Sequence, residues 1–338
     1  MQRDHPARAA RSVSRAAAFA AAVTGLLVVG GCVSMSESTY KDLFPAYSDV
    51  KVRPAGSILV RIFKEESELE VWTLGADGRY ALQKTHPLCR WSGKLGPKKT
   101  AGDRQAPEGF YRVAQAQMNP NSRYHRSFNL NYPNPLERSL GYKGDSLMVH
   151  GACSSAGCFA MTDAGVGEVY AEAEKAFALG QGDFQVQAFP FRMTAEQMAR
   201  HRADPNIAFW RNLKQGYDIF EVTRREPDVA ACGGRYVFDS RRRDGQPIEP
   251  AAACPPLETR VAPEVAARRA EDAKTLQTLL SEGRGGTPMS YVDGGMHPSY
   301  RDMLKRLGAK ELASQTSMTA VQISRPDALM DDSTTAER

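Results

Sequence analysis

The chain contains the stretch Met148-Val149-His150-Gly151-Ala152-Cys153-Ser154-Ser155-Ala156-Gly157-Cys158-Phe159-Ala160-Met161-Thr162-Asp163, and this stretch indicates its chemistry. A short apolar run ends at His150, and a loop of small residues then leads to the pair Gly157-Cys158. A thiol needs a neighbouring base to become a thiolate near neutral pH. A Gly-Cys turn at the start of an element offers backbone N–H groups to an oxyanion. The stretch therefore predicts a cysteine acyl-transfer site with Cys158 as nucleophile and His150 as general base.

Three other interpretations of the same residues have to be weighed. His150, Cys153 and Cys158 form the pattern H-x2-C-x4-C, which could supply three zinc ligands, but no fourth ligand lies nearby in the sequence. A redox disulfide between Cys153 and Cys158 would have a spacing different from the C-x-x-C of thiol oxidoreductases. Buried cysteines and a core histidine are the third interpretation. Glycines at positions 151 and 157 have no side chain to cover the backbone beside the polar groups. This favours the catalytic interpretation over the structural one.

The composition is that of a globular protein with a mild positive charge. The chain has 338 residues, of which 42% are hydrophobic and 25% charged, and its net charge is +5. This length suffices for one substantial core with appendages or for two small domains. Since no basic stripe is interleaved with aromatic residues, the sequence does not favour a nucleic-acid partner.

The first 32 residues predict a signal peptide of the lipoprotein type. Four arginines, at positions 3, 8, 11 and 15, precede an apolar stretch from Ala16 to Val29 that is short for a membrane span. The stretch closes with Leu27-Val28-Val29-Gly30-Gly31-Cys32, which resembles a lipobox with Cys32 as the lipidated residue. A plain signal peptide with a chance cysteine is the alternative. Val33 stands after Cys32 where an aspartate would retain the protein in the inner membrane, so we expect an outer-membrane destination.

The cysteine count is consistent with a free catalytic thiol. With Cys32 lipidated, five of the six cysteines remain, and an odd number in an oxidising compartment predicts at least one unpaired thiol. Cys232 and Cys254 flank a polar, arginine-rich loop and are the natural disulfide pair. Cys89 and Cys153 are candidates for a second pair, which would leave Cys158 free, although the connectivity stays open.

Alternating short apolar runs and turn residues predict a β-rich domain. Seven runs are predicted as strands, at residues 57–63, 69–74, 80–82, 108–113, 127–130, 146–149 and 184–189. One helix is indicated after Cys158, because five apolar residues recur at spacings of three and four: Val166, Val169, Tyr170, Ala173 and Phe177. Thr162 or Asp163 would cap this helix and Gly180 would end it. Cys158 is then expected in the turn before the helix.

The composition also divides the chain into segments. A tether is expected at residues 33–56, a catalytic domain at 57–194 and a helical extension packed on it at 195–239. Residues 240–338 are expected to form a low-order C-terminal extension. It would contain one helix at 263–282, a weaker one at 300–312 and a disordered end from Arg325.

The pattern His-Gly followed by Ser-x-Gly-Cys resembles the signature of the YkuD-type L,D-transpeptidase domain, in which a histidine-glycine pair precedes Ser-His-Gly-Cys. The shorter spacing is similar to the YafK branch of that family. Further segments in matching order carry the resemblance: residues 89–98, 102–111, 128–134 and 189–194. The likeness covers about Ser57 to Thr194 and weakens through 210–217. The chain after about Ser240 is not covered.

Two positions depart from the wider signature. Ala156 stands where the family often has a second histidine, and Ala160 replaces an arginine or asparagine. His150 would then be the only imidazole beside Cys158, so the choice between transfer to an amine and hydrolysis stays open.

The resemblance implies a fold that is mainly β with α (α+β). It would be a YkuD-like β-sandwich with flanking helices and a poorly ordered C-terminal extension. It also implies an acyl-enzyme between Cys158 and the third residue of peptidoglycan stem peptides, with no metal or organic cofactor. Stem peptides are the expected partner, a wall-attached lipoprotein is a second candidate, and the lipid anchor would add the membrane. The expected location is the periplasm, with an anchor in the outer membrane. A non-catalytic wall-binding lipoprotein is an alternative of another class.

Backbone N–H groups of Gly157 and Cys158 are the predicted oxyanion donors. Ser154 and Ser155 could donate hydrogen bonds to the tetrahedral intermediate, or could simply be small enough for the turn. Arg104 could hold a substrate carboxylate with its planar guanidinium, or could pair with Asp103 or Glu108.

Three nearby lysines form a basic loop: Lys94, Lys98 and Lys99. They could attract anionic cell-wall polymer, although a solvated loop is the commoner explanation.

Overall fold

The computed structural model describes residues 53–316, in which fourteen strands are found. In chain order they are β1 (Ile58–Phe63), β2 (Glu68–Leu74), β3 (Tyr80–Pro87), β4 (Arg90–Trp91), β5 (Gly109–Ala114), β6 (Met118–Ser122), β7 (His125–Asn129), β8 (Met148–His150), β9 (Phe159–Ala160), β10 (Asp183–Phe189), β11 (Val229–Cys232), β12 (Arg235–Phe238), β13 (Ser240–Arg242) and β14 (Leu257–Thr259). The first five-stranded sheet has the order β3-β2-β1-β10-β5 and the second the order β4-β9-β8-β7-β6. The pairs β11–β12 and β13–β14 form two small ribbons.

Seven α-helices accompany these strands in the described residues. They are α1 (Pro135–Ser139), α2 (Asp163–Ala178), α3 (Ala195–Arg200), α4 (Ile207–Thr223), α5 (Pro263–Ser281), α6 (Pro298–Leu307) and α7 (Ala309–Ser314). The predicted helix after Cys158 is α2, and Thr162 caps it by accepting a hydrogen bond from the Gly165 N–H. No helix of the described part is long and apolar enough to cross a bilayer.

The main core lies between the two sheets and α2. Val60 and Val186 of the first sheet, Phe128 and Val149 of the second, and Val166 of α2 are all fully buried in one cluster. Each strand turns alternate residues inward, so the apolar runs that predict strands also supply this core. Two sheets with packed helices confirm the predicted fold class.

A second core joins the later helices to the opposite face of the first sheet. Phe63 and Phe189 of that sheet pack with Trp210 of α4 and with Tyr236 and Phe238 of β12. Residues 195–239 therefore contain a β-ribbon in addition to the helices that the sequence predicts.

The segment after residue 240 carries more regular structure than the sequence predicts. Besides α5, α6 and α7 it holds the ribbon β13–β14, and Val265, Met296, Tyr300 and Leu312 are buried. Because apolar residues are sparse in this segment, its composition does not indicate that the segment is packed. The signal peptide, Cys32, the tether up to Val52 and the predicted disorder from Arg325 lie outside the described residues.

A buried ion pair holds the loop that follows β4. The side chains of Lys64 and Glu108 are fully buried, and their Nζ and Oε1 atoms lie 2.8 Å apart. Nζ also donates to the carbonyls of Lys94, Gly96 and Ala106. Since Lys64 is anchored at the end of β1, one ammonium fixes the loop at three backbone positions.

We expect Lys64→Met to lower the free energy of unfolding by about 3–5 kcal/mol, because it leaves the Glu108 carboxylate buried without its counter-charge. Lys84→Met is the control, since Lys84 and Glu168 form an ion pair in which both side chains are 53% exposed, and such pairs contribute about 1 kcal/mol or less. Urea unfolding measures both. Equal losses in the two variants would contradict the anchoring role of Lys64.

Candidate active site

The parallel pairing of β8 and β9 places His150 at the end of one strand and Cys158 just before its neighbour. In this register Val149 lies opposite Phe159 and His150 opposite Ala160. Cys158 directly precedes β9, so its side chain lies beside Met148. The short strand β9 separates Cys158 from α2, which corrects the expectation of a turn leading straight into the helix. Its position at the start of an element is as predicted.

Cys158 is the free cysteine of the described residues and is partly accessible to solvent. Its sulfur accepts a hydrogen bond from the Met148 N–H at 3.4 Å, and its thiol lies 3.8 Å from the Ser146 carbonyl oxygen as a donor. Burial raises the pKa of the Cys158 thiol, and the Met148 N–H and the Lys98 ammonium oppose this rise. The group is therefore a thiol at neutral pH in the free protein.

His150 is 2% exposed, and its ring is held on two sides. Its Nδ1 lies 2.6 Å from the Gly151 carbonyl oxygen, and the Tyr124 ring packs against it with centroids 4.5 Å apart. Because a carbonyl oxygen can only accept, Nδ1 carries the proton and Nε2 is left basic. Burial lowers the pKa of His150 to about 4, so the imidazole is neutral at pH 7.

The turn before Cys158 is built by the Ser155 hydroxyl. It donates to the Cys158 carbonyl at 2.7 Å, and it accepts from the Ser92 hydroxyl at 2.7 Å and from the Gly157 N–H at 3.2 Å. This geometry favours the turn-building alternative for Ser155. The Gly157 N–H is engaged in this turn in the free protein, and the role of the Gly157 and Cys158 N–H groups as oxyanion donors stays a prediction. Ser154 is half-buried in the same loop, and its role stays a prediction.

A disulfide holds the loop that follows His150. Cys153 is bonded to Cys89, at the start of β4, and both residues are fully buried. Ala152 and Cys153 have φ values of 65° and 46°, which non-glycine residues adopt at a cost of roughly 1–2 kcal/mol each. Asp163 supports the same loop by accepting from the Ala152 N–H at 2.9 Å.

The pairing of Cys153 bears on two alternatives from the sequence. A cysteine in a disulfide with Cys89 can neither ligate zinc nor pair with Cys158. Within residues 53–316 no group of three or more histidine, cysteine or acidic side chains is placed to hold a metal ion. A second disulfide joins Cys232 to Cys254.

Lys98 is closer to the site than its sequence context suggests. Its side chain is 5% exposed, and its ammonium pairs with Asp103 and donates to the Thr100 carbonyl at 2.8 Å. The explanation as a solvated loop therefore fails for this lysine. Its charge acts on Cys158 and favours the thiolate.

Arg104 borders the turn before Cys158 through its backbone. A Cβ atom on Gly157 would lie 3.8 Å from the Arg104 carbonyl carbon. The Arg104 side chain is 55% exposed and pairs with Asp293 at 3.2 Å, a residue that the sequence analysis did not single out. Neither Asp103 nor Glu108, the predicted neighbours, is its partner, since Asp103 pairs with Lys98 and Glu108 with Lys64.

Solved structures show only a weak overall likeness. The helical cell shape determining protein Pgp2 of Campylobacter jejuni is 22% identical with a TM-score of 0.32, over 44% of this chain and 54% of that chain. Bd1075 of Bdellovibrio bacteriovorus is 20% identical with a TM-score of 0.29, over 40% and 49%.

Comparisons of the sequence identify the family to which the chain belongs. The family model of the L,D-transpeptidase catalytic domain, YkuD, matches residues 71–186. YafK of Escherichia coli K12, named as a candidate L,D-transpeptidase, is 41% identical over 208 residues, which cover 61% of this chain and 82% of the relative. The YafK protein of Escherichia coli O157:H7 gives the same values. The chain therefore belongs to the YkuD-type L,D-transpeptidases, a family of peptidoglycan-modifying enzymes, and is similar to YafK within it.

Proposed function

We propose that this protein is a cysteine acyltransferase of peptidoglycan that forms an acyl-enzyme with the third residue of stem peptides and passes it to an amine. Family membership makes peptidoglycan the substrate class. The observation that carries the proposal is the free thiol of Cys158 beside the strand that ends in His150. The orientation of His150, with Nδ1 bonded to a carbonyl, leaves Nε2 as a proton acceptor.

The two side chains act as a neutral acid–base pair. The sequence leaves open whether His150 takes the thiol proton during attack or holds a preformed thiolate–imidazolium pair. Burial lowers the pKa of His150 and raises the pKa of Cys158, and both directions favour the uncharged forms. The proton therefore moves to His150 Nε2 as sulfur attacks the substrate carbonyl carbon. The Met148 N–H then stabilises the charge that develops on sulfur.

The tetrahedral intermediate needs a donor for its oxygen. Since the Gly157 N–H is engaged by Ser155, we assign this role to the Cys158 N–H. In other enzymes the loss of one such donor costs about 3–4 kcal/mol of transition-state stabilisation. Collapse of the intermediate breaks the carbon–nitrogen bond, and the leaving amine takes the proton from His150.

Hydrolysis of the acyl-enzyme is the second candidate. Ala156 lies exposed next to the turn, where relatives often carry a second imidazole, and it offers no polar group to an incoming amine. Water would then release a shortened stem or a protein that was attached to the wall. The thioester bond to Cys158 breaks in both cases, and only the attacking molecule, an amine or water, differs.

We place the enzyme outside the cytoplasm, as its two disulfides and its family indicate. The finer proposal is a periplasmic lipoprotein whose signal peptide ends before Cys32 and whose lipid holds it at the outer membrane. Residues 33–56 would then be the tether of a catalytic domain at 57–194. The basis is the arginine-rich start, the apolar stretch and the Gly-Gly-Cys sequence.

We expect iodoacetamide to label Cys158 at pH 7 more slowly than the same cysteine in urea, because burial raises its thiol pKa. His150→Gln should change this rate by less than about twofold, since no imidazolium holds a thiolate. Peptide mass spectrometry separates Cys158 from Cys32. Fast labelling at pH 6–7 that His150→Gln abolishes would instead demonstrate a preformed ion pair.

Purified sacculi and muropeptides, incubated with the full chain, test the reaction itself. We expect Cys158→Ala to lower product formation on the order of 10³-fold or more, and Lys84→Met, an exposed and remote change, to leave it unaltered. Crosslinks between third residues identify transfer, whereas shortened stems or released protein identify hydrolysis. Identical products from the wild type and Cys158→Ala would refute the enzyme and favour a wall-binding protein.

Cys32→Ser tests the anchor. The lipidated protein should fractionate with outer membranes, because an acylated cysteine supplies the hydrophobic attachment. The variant should be found in the soluble periplasmic fraction, with Cys158→Ala, which removes an unpaired cysteine, as a control for loss of a different cysteine. Unchanged membrane fractionation of Cys32→Ser would refute the lipid anchor.

A further inference from the structure

The segment from Tyr291 to Met296 is built into the second sheet although it lies far from it in the sequence. Trp91 of β4 and Gly295 exchange two backbone hydrogen bonds of 3.1 Å, and the Tyr291 ring packs on the Trp91 indole at 4.9 Å. A Cβ atom on Gly294 would lie 1.7 Å from the Trp91 carbonyl oxygen, and one on Gly295 would lie 2.8 Å from its indole nitrogen. This contact therefore requires two glycines, and the segment is a fixed part of the domain.

Asp293 precedes these glycines, and its carboxylate gathers three donors. Oδ2 lies 3.3 Å from Arg90 Nη2 and 3.2 Å from Arg104 Nη2, and Oδ1 accepts from the Gly93 N–H at 3.3 Å. Arg90 also donates to the Asp293 carbonyl. Side chain and backbone are thus held together, so Asp293 has one fixed position.

This position adjoins the turn of the nucleophile. Gly93 follows Ser92, whose hydroxyl donates to Ser155, and Ser155 in turn donates to the Cys158 carbonyl. The Arg104 backbone lies against Gly157 on the other side. The Asp293 carboxylate therefore links two parts of the chain that both contact the catalytic turn.

The two arginines bonded to Asp293 differ in accessibility. The Arg90 side chain is 2% exposed, whereas that of Arg104 is 55% exposed. Arg104 has a left-handed backbone, with a φ of 55°, and the contact with Asp293 uses its Nη2. A guanidinium has five N–H donors in a planar fork, so donors of Arg104 are left for a second carboxylate. Two guanidinium groups and one carboxylate also leave one unit of positive charge in the cluster.

We propose that Asp293 is a positioning residue that holds Arg104 ready to bind a carboxylate of the stem peptide, so that the C-terminal segment forms part of the substrate site. This inference rests on the proposed function. Asp293 orients the guanidinium before substrate arrives, which lowers the entropy lost on binding. The carboxylate of the peptide then accepts hydrogen bonds from the N–H groups of Arg104 that Asp293 leaves unused. The segment after residue 240 thereby contributes to recognition as well as to packing.

The test measures binding without turnover. In the Cys158→Ala background, isothermal titration compares a tetrapeptide stem that has a free terminal carboxylate with the same peptide amidated at that end. We expect Asp293→Asn to weaken binding of the free acid about tenfold and to leave binding of the amide unchanged. Asp293→Glu should restore most of the affinity. Arg104→Gln should give the same selective loss, and the double variant should lose little more than either single one.

Three outcomes would overturn the role of Asp293. Equal losses for both peptides would indicate a structural role, and thermal unfolding of each variant checks for it. Unchanged affinity for the free acid would show that Arg104 needs no support. Tighter binding in Asp293→Asn would show that Asp293 competes with the substrate. Turnover in the intact Cys158 protein is measured separately, so an inactive wild type would refute the proposed function while the binding result still decides on Asp293.

Discussion

The buried pair of Lys64 and Glu108 is the constraint on which the site depends. A single buried ammonium is bonded to one buried carboxylate and three backbone carbonyls. Burying a charge is costly unless every partner is in place, so the loop after β4 has no alternative arrangement of similar free energy. That loop carries Ser92, Lys98 and Arg104. The backbone path of this loop therefore depends on a buried charge, whereas the Arg104 guanidinium is held by Asp293.

The environment of the thiol combines rigid support with burial. Ser155 holds the turn, the disulfide of Cys153 holds the loop after His150, and the Gly151 carbonyl orients the imidazole. Burial in such a site keeps the Cys158 thiol protonated in the free protein. A thiol is less readily oxidised than a thiolate, so the same burial that slows reaction in the free protein also protects it in an oxidising compartment.

Much of this arrangement could be predicted from the sequence, because it depends on local patterns. Alternating apolar residues located the long strands, the spacing of three and four located α2, and the small residues around Gly157-Cys158 indicated a nucleophile. The short strands β4 and β9 were missed because two residues carry no periodicity. The engagement of the Gly157 N–H was missed because it depends on a hydroxyl in the turn itself. Asp293 was missed because its partners lie far away in the chain, and an Asp-Gly-Gly triplet in a polar segment is typical of a loop.

The contact of Arg104 with Asp293 joins residues separated by 189 positions. A chain that folds as it emerges, amino terminus first, can form both sheets before this contact exists. The strands that carry Cys158 and His150 can thus pair early, while the Arg104 guanidinium stays unsupported until Asp293 has emerged. The order of synthesis then places the proposed binding of a carboxylate, which needs Asp293, after the pairing of β8 with β9.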